Sequence, residues 1–131
     1  MTELHEKDLK DRESLNDLDL NELIIASIFE IKGLDVVKID IRELHDRPTD
    51  FFILCSGQSV TQVKAIASNI AKNVKEHLKE FPSSFEGKSE GRWVLLDYFS
   101  TVVHVFHPET REFYGIEDLW SDGLITEYQD L

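Results

Sequence analysis

Residues 49–59 read Thr-Asp-Phe-Phe-Ile-Leu-Cys-Ser-Gly-Gln-Ser, and the architecture of the chain can be worked out from this stretch. The continuous apolar run at 51–55 is too short for a typical helix and favours a strand that is covered on both faces. The chain then turns at Ser56-Gly57-Gln58. Ser59 and Gln62 form the Ser-x-x-Gln pattern of a capping box, which marks the start of a helix. A buried strand that leads directly into a helix is typical of an α/β protein.

Apolar residues at helical spacing predict one helix before residues 49–59 and a second helix that begins after Ser59. The first helix has Leu20, Leu23, Ile24, Ile28 and Ile31, and the second has Val63, Ile66, Ala67, Ile70, Val74 and Leu78. The β-branched run at 34–41 predicts a strand. Residues 93–98 and 101–107 predict two more strands, and Pro108 suits the first position of a short last helix. The predicted fold class is therefore α/β, a single domain with one mixed β-sheet flanked by helices.

The last two strands predict a hairpin with a two-residue turn at Phe99-Ser100. In that register Asp97 faces Val102, Leu95 faces His104, and Trp93 faces Phe106. The other face carries Val94, Leu96, Tyr98, Val103 and Val105. Both faces are mainly apolar, so either the helices of this protein cover both of them or a partner covers part of one.

The charge of the chain bears on its partners. Of 131 residues, 26 are acidic and 14 are Lys or Arg, which gives a formal net charge of −12. Such a surface repels nucleic-acid phosphates, so we expect no sequence-specific nucleic-acid binding. Negative charge steers a protein toward a basic partner, or it serves only to keep the protein soluble. Cys55 is the single cysteine, which excludes an intrachain disulfide, and its apolar surroundings indicate a buried thiol.

The distribution of charged and apolar residues predicts three parts. We expect a flexible acidic extension over residues 1–18, a domain over 19–120, and a flexible tail over 121–131. Residues 83–91 are polar and predict a loop. No stretch approaches the ~18 apolar residues of a membrane span. The acidic N-terminal region differs from signal and transit peptides, so we expect a cytoplasmic protein with no membrane partner.

The sequence offers little for catalysis or metal binding. The turn at 56–59 resembles one with which nucleotidyltransferases bind phosphate, through amides at a helix start. Those enzymes also need a pair of acidic residues on one strand to hold a metal, whereas Asp40 and Asp97 are each isolated. His104 and His107 are three residues apart along a predicted strand and would point to opposite faces. We assign no catalytic residue, no metal and no cofactor.

Several segments together resemble the RsfS/Iojap family of ribosomal silencing factors. They are residues 34–41, 49–59, 63–67, Glu86-Gly87, 93–98 and 102–106, followed by a C-terminal signature of Arg111, Tyr114, Glu117, Leu119 and Trp120. The order and spacing of these segments make the resemblance specific. It extends over the chain between the two predicted flexible ends.

The resemblance implies a fold related to nucleotidyltransferases that lacks the catalytic acids. It implies a protein that binds the large ribosomal subunit through ribosomal protein number fourteen, near the place where the small subunit docks. Such a protein blocks the joining of the subunits and represses translation when nutrients are limiting. The resemblance also implies that the protein is not an enzyme and that it forms a homodimer when it is free of the ribosome.

Carried over by the resemblance, the docking surface falls on the hairpin. Trp93 would be a packed aromatic anchor, and Asp97 would pair with a basic side chain of the ribosomal protein. Tyr98 would add apolar area and a hydroxyl hydrogen bond, and Glu86 would make a second acidic contact. Many relatives have Gly or another turn-forming residue where this chain has Phe99-Ser100. Because Phe disfavours positive φ, this difference predicts a longer or bulged turn.

Two alternative functions remain open at this point. The first is a factor for assembly of the large subunit, which would use the same docking site. The second is a nucleotidyltransferase that acts on a small substrate or on RNA.

Overall fold

A computed structural model of the chain describes residues 18–130. Its helices are α1 (Leu20–Glu30), α2 (Val60–Leu78), α3 (Pro108–Tyr114) and α4 (Ile116–Leu119). Its strands are β1 (Leu34–Asp40), β2 (Phe51–Ser56), β3 (Ser84–Glu86), β4 (Trp93–Asp97), β5 (Thr101–Phe106) and β6 (Leu124–Tyr128). Within residues 18–130, no helix has the length and apolar character of a membrane span.

The strands form one sheet in the order β3-β4-β5-β2-β1-β6. Strands β2 and β5 run parallel, and the other neighbouring strands run antiparallel. The predicted α/β class, with one mixed sheet flanked by helices, is confirmed. Strand β2 lies in the interior of the sheet and is buried over residues 52–56, in agreement with its continuous apolar sequence.

Helices α1 and α2 cover one face of the sheet and form the main core with it. The helices contribute Leu23, Ile24, Ile28, Val63, Ile66, Ala67, Ile70 and Val74, all buried. The hairpin contributes Val94, Leu96, Tyr98, Val103 and Val105. The hairpin face that the sequence assigned to these five residues is therefore the face that the helices cover.

The start of α2 follows the predicted cap with one change. The Ser59 hydroxyl accepts a hydrogen bond from the Gln62 backbone N–H at 3.1 Å. The Gln62 side-chain oxygen accepts from the backbone N–H of Gln58 at 2.6 Å, rather than from that of Ser59. The Gln62 amide nitrogen also donates to the carbonyls of Ile31 and Lys32, at 3.0 and 3.2 Å. The cap therefore joins the start of α2 to the end of α1.

The opposite face of the sheet is covered only in part. A smaller cluster there contains the buried residues Val37, Ile39, Ile41, Phe52, Leu54 and Phe106. Ile116 of α4 and Trp120 pack against it, and the Trp120 and Phe52 rings lie 5.4 Å apart. These contacts pack the C-terminal segment onto the domain.

Arg111 attaches the C-terminal helices to the sheet. Its Nη1 donates to the carbonyl of Asp35 at 2.7 Å and to the hydroxyl of Ser56 at 3.0 Å. Its Nε pairs with the Glu117 carboxylate at 2.7 Å. One guanidinium group therefore connects α3, α4, β2 and the start of β1.

Two elements correct the sequence prediction. The predicted loop at 83–91 contains β3, which pairs with β4. The predicted flexible tail at 121–131 contains β6, which pairs antiparallel with β1. Both strands lie at sheet edges and bury few side chains, so their stability comes from backbone hydrogen bonds that apolar periodicity does not reveal. Residues 1–17 of the predicted N-terminal extension lie outside the described residues.

Candidate partner-binding face

The β4–β5 hairpin has the register that was predicted from the sequence. Asp97 pairs with Val102, Leu95 with His104, and Trp93 with Phe106. The chain reverses tightly at the end of β4, where the Tyr98 backbone N–H donates to the Thr101 carbonyl at 2.9 Å. Phe99 adopts a positive φ of 75° in this turn. The predicted longer or bulged turn is wrong, because Phe99 adopts a positive φ and the two-residue turn keeps the register of the hairpin.

Four half-buried side chains share the partly covered face of the hairpin, and we refer to them as the β4 patch. They are Trp93, Leu95 and Asp97 of β4 and Val102 of β5. The intervening residues Val94 and Leu96 are fully buried on the other face. The patch therefore presents an apolar surface that ends in a carboxylate.

Glu86 lies on the same face as the β4 patch. It is exposed on β3 and pairs with Leu95, and cross-strand partners project to the same side of a sheet. The structure thus brings together Trp93, Asp97 and Glu86, three of the four residues that were predicted to bind a partner. Leu95 and Val102 were not among the predicted contacts, although their positions in the strand alternation identify them.

Aromatic rings surround the Trp93 side chain. The ring centroids of Phe106 and His104 on β5 lie 5.1 and 5.8 Å from that of Trp93, and the centroid of Tyr114 on α3 lies 4.6 Å away. The indole Nε1 donates a hydrogen bond to His104 Nδ1 at 3.0 Å. Trp93 is therefore packed on several sides and held by a polar contact, while part of its surface stays open.

His104 is buried and uncharged. Only 5% of its surface is exposed, and burial lowers its pKa from 6.5 to about 4. Because Nδ1 accepts the bond from Trp93, the single proton of the neutral ring lies on Nε2. The Phe52 and Phe106 rings lie 5.4 and 5.8 Å from the imidazole. These contacts give His104 a structural setting and do not resemble a metal ligand set.

Asp97 is held in place by the turn that follows it. Its Oδ1 accepts a hydrogen bond from the Phe99 backbone N–H at 2.8 Å. Its backbone carbonyl accepts from Ser83 N–H at 2.8 Å, next to the edge strand β3. A half-exposed carboxylate that is fixed in this way is suited to accept a charge-assisted hydrogen bond from a basic partner.

Tyr98 does not lie with the other predicted contact residues. Its side chain is 9% exposed and belongs to the core beneath α1 and α2. Burial, together with the nearby charge of Glu80, raises the pKa of the hydroxyl to about 12. The docking role that the resemblance implies for Tyr98 needs an exposed side chain, whereas strand alternation puts Tyr98 on the helix-covered side.

In the turn at 56–59, which resembles a phosphate-binding loop, the polar groups of residues 56–58 form hydrogen bonds within the chain. The Gly57 N–H donates to the carbonyl of Phe106 at 2.9 Å, and the Gln58 N–H donates to the Gln62 side chain. The Ser56 hydroxyl accepts a bond from Arg111. These groups stabilise the fold, so the geometry provides no specific support for a phosphate site at this turn.

Comparisons with known proteins agree on one family. The family model described as "Ribosomal silencing factor during starvation" matches residues 14–131. A ribosomal silencing factor of Halalkalibacterium halodurans is 34% identical over 115 residues, which are 88% of this chain and 97% of that protein.

Similarity extends to a solved structure and to an organellar protein. A crystal structure of a Chromobacterium violaceum protein has a TM-score of 0.74 and 35% identity, and the match covers 78% of this chain and 83% of that chain. A mouse protein named for mitochondrial assembly of the ribosomal large subunit is 38% identical over 102 residues, which are 76% of this chain and 44% of that protein.

Proposed function

Because this chain belongs to the ribosomal silencing factor family, we propose that it binds the large ribosomal subunit and prevents that subunit from joining the small one. Binding takes place through ribosomal protein number fourteen, and the consequence is repression of translation when nutrients are limiting. The protein acts in the cytoplasm by occupying a surface, without catalysis.

The β4 patch is the observation that supports this proposal most directly. Trp93, Leu95 and Val102 give it an apolar centre, and Asp97 stands at one end with Glu86 alongside. Interfaces commonly combine a central aromatic anchor with a polar rim that selects the partner. An acidic rim on a chain with a net charge of −12 suits a basic protein surface. We leave Tyr98 out of the contact surface because its side chain is buried.

The proposal is tested by mixing purified large and small subunits with the protein and separating the products on a density gradient. The wild-type chain should sediment with large subunits and lower the yield of joined ribosomes. Trp93→Ala should weaken binding by ~2 kcal/mol or more if the indole is an anchor. Phe81→Ala is the matched control, since Phe81 is an exposed aromatic beside Lys75 of α2 and lies outside the patch. Unchanged joining with saturating wild-type protein would refute the proposal.

A pair of Asp97 variants separates the charge of this residue from its role in the turn. Asp97→Asn keeps an oxygen that can accept the Phe99 N–H bond but removes the charge. Asp97→Lys reverses the charge. If Asp97 meets a basic side chain, both variants should bind large subunits more weakly, and the charge reversal should have the larger effect. Equal binding by all three proteins would place the basic contact elsewhere.

Assembly of the large subunit is a second candidate, and the name of the mouse relative favours it. An assembly factor would bind immature large particles and leave the joining of mature subunits unchanged. The same gradients, run with mature subunits and with precursor particles, distinguish the two functions.

The nucleotidyltransferase activity that the sequence left open has no specific support in the geometry of the turn at 56–59. Calorimetry with nucleoside triphosphates and Mg²⁺ tests it, and clear saturable binding would favour an enzyme.

A further inference from the structure

We propose that His104 is a positioning residue for docking, because it holds the Trp93 indole in the orientation that the partner meets. This inference rests on the proposed function, since it assigns Trp93 to the docking surface. It goes further by giving a role to a residue that the partner does not touch.

The hydrogen bond between the two side chains defines the orientation of the indole. Trp93 Nε1 donates to His104 Nδ1 at 3.0 Å. The indole has one polar atom, and a directional bond at that atom fixes the rotation of the ring about its side-chain bonds. Phe106 and Tyr114 restrict the ring by packing but offer no such acceptor in their ring contacts.

His104 is itself fixed, so it can act as a support. The imidazole is buried on β5 and is nearly parallel to the Phe106 ring, with an interplanar angle of 8°. Phe52 of the neighbouring strand β2 packs against it with a centroid distance of 5.4 Å. With 5% of its surface exposed, His104 has almost no area to offer a partner, and its effect on docking must pass through Trp93.

The benefit of this arrangement is preorganisation. A half-exposed tryptophan without a polar partner would sample other rotamers, in which its N–H bonds to water. A partner would then have to immobilise the side chain, and affinity would fall. Loss of the acceptor should therefore weaken docking on the order of three- to tenfold, the range expected for ordering one large side chain.

Two substitutions separate the acceptor from the ring. His104→Phe keeps a ring of similar size between Phe52 and Phe106 but removes the acceptor. His104→Asn removes the ring but keeps an oxygen near the position of Nδ1. Folding of each variant is checked by its unfolding midpoint, and docking is measured with purified large subunits.

The free protein provides an independent measurement of the indole itself. In ¹H–¹⁵N spectra, the Trp93 Nε1–H resonance of His104→Phe should move and exchange faster with solvent, while the Trp120 resonance serves as an internal reference. A Trp93→Phe variant assigns the two signals. His104→Asn should retain a protected Trp93 signal and should dock more tightly than His104→Phe.

The outcomes discriminate clearly. If His104→Phe leaves the Trp93 signal and docking unchanged, the proposal is overturned. If the signal changes but docking does not, the hydrogen bond exists and has no role in binding, which also overturns it. If wild-type protein does not bind large subunits at all, the proposed function fails first, and that result is distinct from either outcome in the variants.

Discussion

The Asp97 carboxylate accepts a 2.8 Å hydrogen bond from the backbone N–H of Phe99, which has a φ of 75°. The Phe99 carbonyl accepts a second bond from the Thr49 hydroxyl at 2.8 Å. These two contacts hold a non-glycine residue in the left-handed region, where side chains with a Cβ are disfavoured. The Phe99 side chain is 87% exposed, so it gains little packing in return.

Replacing Phe99 with glycine should stabilise the protein. Glycine adopts positive φ without a steric cost, and the relief exceeds the extra freedom that glycine gives the unfolded chain. We expect the free energy of unfolding to rise by roughly 1 kcal/mol, measured by urea denaturation.

Ser100→Gly provides the control for this turn, since Ser100 is not among the residues with positive φ. It should leave stability unchanged or lower it. A lower stability for Phe99→Gly than for Ser100→Gly would show that the Phe99 side chain makes a contribution that its exposure does not reveal.

Stability should depend on pH through His104. Its pKa is lowered from 6.5 to about 4 by burial, so between these values the unfolded chain binds a proton that the folded chain does not. Above pH 6.5 the imidazole is neutral in both states and does not lower the free energy of unfolding. As the pH falls from 6.5 toward 4, the free energy of unfolding decreases by about 3 kcal/mol in total because of this group.

The test is a series of urea denaturation curves of wild type and His104→Phe between pH 7 and 4. The variant lacks the titrating group, so its stability should fall less steeply over this range. Asp40, whose pKa is lowered mainly by its hydrogen bond to Arg42, contributes in both proteins and at lower pH. If the free energy of unfolding had the same pH dependence in the two proteins, the assignment of a buried neutral imidazole would be contradicted.

Arg111 should be important for the attachment of the C-terminal helices. Its guanidinium makes hydrogen bonds with Asp35, Ser56 and Glu117, at 2.7, 3.0 and 2.7 Å. Lysine cannot reproduce three bonds in one plane, so Arg111→Lys should lower the free energy of unfolding by about 2 kcal/mol. Denaturation followed by tryptophan emission measures this loss, because Trp120 packs onto the sheet at the end of the same segment.

Glu117→Gln is a milder change at the same contact, because Glu117 is more exposed than Arg111 and glutamine can still accept a hydrogen bond. Its effect should be clearly smaller than that of Arg111→Lys. Equal losses in the two variants would mean that the ion pair, and not the bonds to the sheet, holds the helices.

Sequence alone predicted the parts of the fold that depend on side-chain burial. The apolar run of β2, the helical stripes of α1 and α2 and the register of the hairpin all follow from periodicity, and the structure confirms them. The strands β3 and β6 were missed because edge pairing through the backbone leaves no apolar pattern.

Of the candidate site, the strand alternation predicted the patch but not its internal contacts. Trp93 and Asp97 fall on one face because of the hairpin register, which sequence can supply. Glu86 joins them through the pairing of β3 with β4, which the sequence did not predict. The bond from Trp93 to His104 joins diagonal positions on two strands and depends on rotamers that no pattern specifies. The position of Tyr98 was available from the same alternation, but its docking role was carried over from the family resemblance without regard to the face on which it lies.

Tyr98 provides a last test, because its buried hydroxyl is the part of the residue that a docking role would need. Within residues 18–130 the structure provides no hydrogen-bond partner for that hydroxyl. An unpaired buried hydroxyl costs free energy, so Tyr98→Phe should keep the packing and raise stability by up to about 1 kcal/mol. Binding to large subunits should be the same as for wild type. Weaker binding by a fully stable Tyr98→Phe protein would mean that the hairpin opens on docking and exposes this side chain to the partner.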